Sequence, residues 1–215
     1  MRRANPVHQF GQSNDATTFA GRTACTHVAL QVLIEFWTGR RATIDEISRI
    51  AFYPKPAANP EMRGLRPVEV VRVLQHFKMP YRLALGLSVE ELLRASNKGP
   101  CLFGMRYGDY PRNDALPPWR ARPPYAEVNG ATQRAGFDGA HAGVLGGYEF
   151  DATDARYEAY TVEPNHASGR PENPKNPPFD LITTSQLRQA FEAIKTTAWN
   201  ATYAFVPTRE WNGPS

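Results

Sequence analysis

Along the first half of the chain, apolar residues recur at helical spacing and are punctuated by strong stop signals. Residues 25–38 carry Val28, Leu30, Val32, Leu33, Ile34, Phe36 and Trp37, which leaves little polar face and predicts a helix buried on most sides. Gly39 is its natural stop. Thr43 followed by Glu46 forms the pattern of a capping box, and Ile44, Ile47 and Ile50 predict one apolar face of a second, shorter helix. Pro54, Pro56 and Pro60 end that segment. Pro67 suits the first turn of a third helix, where its missing N–H costs little, with Val68, Val71 and Leu74 expected to face inward.

After Met79-Pro80 the period changes. YRLALGL alternates as a strand, and Ser88 with Glu91 caps a short helix carrying Leu92 and Leu93. Residues 100–108, 141–150 and 156–164 read as three strands of a sheet, the last two joined by a short turn around Asp151 to Ala155. A helix is expected from about Thr184, and WNATYAFVP supplies a closing strand. Residues 109–138 and 164–179 resist regular assignment and hold ten of the nineteen prolines, so they read as long loops. The expectation is one α+β domain over residues 1–215, decorated by these two Pro-rich loops.

Composition narrows the class. Apolar residues make up 41% of 215, without a run of about 18 that would span a bilayer. The opening MRRANPVHQFGQSND has two arginines but no apolar segment behind them, so no secretory signal is read and a cytoplasmic or virion-associated protein is expected. The net charge of +4 is arginine-rich but dispersed, with no basic stripe interleaved with aromatics, so neither a nucleic-acid nor a membrane partner is indicated. The five histidines are scattered and show no zinc-site spacing with the two cysteines, and no phosphate-cradling glycine motif occurs. No metal and no cofactor is therefore expected. Two cysteines are too few for a disulfide framework, and free thiols are favoured over a Cys25–Cys101 bridge.

Cys25 opens the most apolar helix. The unpaired N–H groups and dipole of a helix N-terminus favour thiolate over thiol, which gives a cysteine there a physical reason to be reactive. The competing reading is a small core residue, since free cysteine is commonly buried. His141, 116 residues downstream, opens the strand HAGVLGGYEF and supplies an imidazole, the side chain best matched to moving a proton at neutral pH. The following strand runs into YTVEPNH, where Glu163 or Asn165 would hold that imidazole in one tautomer. Upstream, Gln12 offers a side-chain amide for a tetrahedral oxyanion. His27, two residues after Cys25, should point elsewhere around the helix and is read as a packing or loop contact rather than a second base. Cys101, following Pro100 in a strand, is read as core.

A glutamine in the lead-in, a cysteine opening an apolar helix, a His-small-apolar strand and a next strand ending in acid-Pro together resemble the papain-like cysteine peptidases, and among them the bacteriocin-processing branch that acts on double-glycine leaders. The likeness spans residues 8–206. It implies a papain-like α+β fold, with N-terminal helices and the cysteine helix packed on a twisted antiparallel sheet. It also implies catalytic roles for Cys25 as nucleophile, His141 as base, Glu163 as orienting group, with Asn165 as the alternative, and Gln12 in the oxyanion hole. Three departures accompany it. Thr26-His27 stands where the family has Gly-Pro, and Glu163-Pro164 where it has Asp-Pro. Gln12 lies thirteen residues ahead of Cys25, farther than usual, which leaves Gln9 as a substitute.

The function implied is hydrolysis of a peptide or amide bond in a peptide or protein substrate, through an acyl-thioester. Two other uses of the same framework are a non-catalytic module in a larger assembly such as a virion or cell envelope, and an amidase acting on cell-wall peptides.

Overall fold

A computed structural model of the protein describes residues 25–40, 42–52, 64–107, 139–151, 156–162, 180–196 and 200–212. Three helices come first. Helix α1, Cys25–Thr38, buries Val28, Ala29, Leu30, Val32, Leu33 and Ile34, as its nearly continuous apolar sequence requires. Gly39 ends it in the left-handed region at φ +67°, its N–H donating to the Glu35 carbonyl at 2.9 Å. Helix α2, Ile44–Ala51, starts at Thr43, whose hydroxyl accepts the Glu46 N–H at 3.1 Å. The other half of the expected capping box is absent, because the Glu46 carboxylate pairs with Arg40 instead.

Helix α3, Pro67–His76, begins with its proline in the first turn, and the Glu69 carboxylate accepts the Arg66 N–H at 2.7 Å. Its buried stripe differs from the expected one. Val70, Val73 and Leu74 face the core, Val71 is half-buried, and Val68 is 62% exposed. Positions 70, 73 and 74 form a stripe at i, i+3 and i+4, and Val68 lies about 200° around the helix from Val70.

Strand β1, Tyr81–Leu85, leads to helix α4, Val89–Ser96, where Ser88 and Glu91 do form the reciprocal box, at 3.2 and 2.8 Å. Then come β2, Cys101–Tyr107, β3, Gly139–Asp151, and β4, Arg156–Val162. Strand β5, Asp180–Thr183, was not anticipated; it runs directly into helix α5, Thr184–Glu192, and a 3-10 turn over Ala193–Thr196. Strand β6, Tyr203–Pro207, closes the sheet. The strand order is β1-β6-β2-β3-β4-β5, with every neighbouring pair antiparallel.

Alternation along the strands divides the interior in two. On one face Leu102, Ala142, Val144 and Phe205 join Leu30 and Leu33 of α1, Ile47 of α2 and Val70 and Val73 of α3. On the other, Cys101, Phe103, Met105, Leu145 and Ala204 pack against Val89 and Leu92 of α4 and Leu187 and Phe191 of α5. Phe103 and Phe191 meet edge to face across this second layer, with ring centroids 5.9 Å apart. The fold is α+β, and the helix that begins with Cys25 is docked on the antiparallel sheet.

Candidate functional site

Cys25 is the first residue of α1 and the entry point to its buried stretch. Its side chain is half-buried against the α1 face of the core, and Sγ lies 3.9 Å from the Thr26 hydroxyl. The first turn of α1 contains no acidic residue, so no carboxylate on that turn opposes the dipole that favours a thiolate. The position is also fixed from behind. Leu30, Leu33 and Ile34 are fully buried, which prevents the helix from rolling without opening the core.

Tyr203, the first residue of β6, is the second group here. It packs against the same core cluster as Cys25. Its ring lies on the backbone of Gly104, so closely that a Cβ at that position would fall 2.3 Å from Cε1 and Cζ and 2.7 Å from the hydroxyl. Burial pushes the phenol up to about 12, and the negative charge of a Cys25 thiolate acts in the same direction. Sequence reading passed over Tyr203, which looks like any aromatic in a closing strand. The legible signal was Gly104 inside CLFGM, since an isolated glycine in a strand marks a close approach.

His141 is the third residue of β3, the strand starting two residues earlier than expected, and its ladder partner on β2 is Met105. The next residue, Ala142, packs on the α1 face with Val144, while Met105 packs on the opposite face with Phe103. Gln12, Gln9, Glu163 and Asn165 lie outside the described residues. Within the described set, Cys25 and Tyr203 pack against the same core cluster, and His141 is placed by its backbone register alone.

His27 has a separate task. It is 5% exposed, and its Nε2 lies 3.1 Å from the Ser48 hydroxyl of α2. Among the described residues Nδ1 has no hydrogen-bond partner. Burial lowers its pKa to about 4, a shift that the nearby Glu69 carboxylate only partly offsets. It is thus neutral at pH 7 and tied to the neighbouring helix, as expected of a packing residue rather than a second base.

Cys101 is fully buried on the far face, its thiol directed to the Gly99 carbonyl at 3.7 Å and its pKa pushed well up by burial. Neither cysteine is in a disulfide, and the sheet separates their environments. Among the described residues no group of three His, Cys, Asp or Glu side chains is arranged to hold a metal ion, and no helix is long and apolar enough to cross a membrane. The chain matches no protein-family model, and no match to it is found among curated proteins.

Proposed function

We propose that the protein is a thiol-dependent hydrolase of peptide or amide bonds with a papain-like arrangement, in which Cys25 is the nucleophile. The observation that carries this reading is a half-exposed thiol at the start of a buried helix, docked on an antiparallel sheet and free of acidic neighbours in its first turn. The thiolate attacks the carbonyl carbon, and the His141 imidazolium gives its proton to the departing amine, leaving an acyl-thioester. Water, deprotonated by the same imidazole, then attacks that ester and releases the acid and the free thiol. Glu163 or Asn165 orients the imidazole, and Gln12 with the Cys25 N–H receives the oxyanion.

A second reading, a non-catalytic module of the same fold, has one observation in its favour. The ladder partner of His141 packs on the face away from α1. The two readings separate on turnover. Incubation with a mixed peptide library and with purified peptidoglycan, read by mass spectrometry, should give cleavage that disappears in Cys25→Ala. Cleavage of the peptidoglycan stems alone assigns the activity to cell-wall peptides. Cleavage that persists in Cys25→Ala contradicts the proposal, and a wild type that cuts neither substrate class favours the module.

A further inference from the structure

Strand β1 is an edge of the sheet and is bonded to β6 on one side. Its ladder shows which backbone groups point the other way. The Gly86 N–H donates to the Thr202 carbonyl at 2.8 Å and the Thr208 N–H to the Pro80 carbonyl at 2.7 Å, continuing the register that pairs Arg82 with Val206 and Ala84 with Ala204. In an antiparallel pair the N–H and C=O of one residue point to the same side and successive residues alternate, so Pro80, Arg82, Ala84 and Gly86 face β6 while Tyr81, Leu83 and Leu85 face outward. The Tyr81 N–H is taken by the Met79 carbonyl at 2.9 Å. Among the described residues, Leu83 and Leu85 are then the two of this strand that present both a donor and an acceptor on the open edge. Edge strands are ordinarily guarded by charge, proline or a bulge, because such groups template another strand. Here the β1–β6 register is unbroken and the strand carries one charge, Arg82. Tyr81 and Leu83 pack on the α1 face and Ala84 on the other, so alternation puts Leu85 on the α1 face as well, where it is 64% exposed, and Arg82 on the opposite one.

We infer that the β1 edge is a self-association surface, on which a second copy of this chain pairs antiparallel about a two-fold axis beside Ala84. About that axis Leu83 lies opposite Leu85 of the second copy and Leu85 opposite its Leu83. Each such pair exchanges both backbone hydrogen bonds, so every outward group of the two leucines is used. The same pairs set exposed Leu85 against half-buried Leu83 on one face, apolar against apolar. Arg82 falls opposite Gly86, and the two copies of Arg82 stand four residue steps apart, about 14 Å along the strands, beyond the roughly 8 Å screening length at physiological salt. An axis at Leu83 would halve that separation and call on the Tyr81 N–H that Met79 already holds. The edge is thus complementary to itself in hydrogen bonds, apolar contact and charge, and the occupant it fits is its own copy. A contact this short falls below the roughly 1,200 Å² of stable interfaces, so the association is weak and concentration-dependent. None of this depends on the role of Cys25.

Sedimentation velocity of the full chain, from micromolar to near-millimolar concentration, should show a monomer–dimer equilibrium in wild type. Leu85→Pro deletes an outward N–H and leaves the β1–β6 ladder its bonds, as a proline on a sheet edge can. Two hydrogen bonds per dimer are lost, and the dissociation constant should rise roughly tenfold or more. Leu85→Arg keeps the N–H and should act in the same direction by setting a charge against Leu83; it is the deciding variant if the proline alters the circular dichroism. Residue-resolved amide exchange should show protection at Leu83 and Leu85 that grows with protein concentration. A wild type that stays monomeric over the whole range overturns the inference. So does a dimer of undiminished affinity in a folded Leu85 variant, which would put the contact on another face. Protection at Leu83 and Leu85 that does not change with concentration overturns it as well, since the edge would then be covered within one chain.

Discussion

The imidazole of His27 meets the hydroxyl of Ser48 at 3.1 Å inside the contact between α1 and α2, and this bond ties the helix that begins at Cys25 to its neighbour. Burial holds this histidine neutral, with a folded pKa of about 4 against an ordinary value of 6.5. The unfolded chain therefore binds a proton more readily than the native one, and stability is complete above pH 6.5 and lost as pH falls toward 4. The shift corresponds to roughly 3 kcal/mol at the acid end. Urea unfolding at pH 7 and pH 4 should show that difference in wild type and a smaller one in His27→Gln. Equal losses in both proteins would remove His27 from the account.

Ser48→Ala leaves Nε2 of a buried imidazole without its partner and should cost about 1–3 kcal/mol, the penalty of an unsatisfied buried polar group. The loss should exceed that of Asp45→Ala on the exposed side of the same helix. Chemical denaturation at pH 7 measures both.

The two valine-rich faces of α3 make a sharper comparison. Leu74→Ala removes a buried side chain and should cost about 2–5 kcal/mol, while Val68→Ala, on the exposed face, should stay within about 0.5 kcal/mol of wild type. A large effect at Val68 would mean that the exposed face is covered in solution.

Because the sheet lies between the environments of Cys25 and Cys101, mild oxidation of the folded protein with diamide should not produce the 2 Da loss of an internal disulfide, on the mass of two hydrogens. Its appearance in native protein would require a rearranged core.

Much of the fold was legible because local and tertiary signals agreed. Helix α1 was found from its apolar run and Gly39, and α4 from a box that formed as written. Where they diverged, long-range contacts prevailed. Glu46 left its cap for Arg40, and the stripe of α3 was set by which valines the sheet covered, which a valine-rich helix does not announce. Strand β5 has four residues and gains its identity from pairing with β4, a partner remote from any local pattern. At the site, Cys25 was visible through its position before the apolar run. Tyr203 was not, since its meaning depends on Gly104, some hundred residues earlier and one strand away.

The central claim is that Cys25 is a working nucleophile paired with His141, and the alkylation profile of Cys25 with and without His141 tests it most directly. The account predicts rapid alkylation persisting well below pH 7 in wild type, against the ordinary thiol value near 8.5, and its loss in His141→Ala. An ordinary thiol titration that His141→Ala leaves unchanged would contradict it.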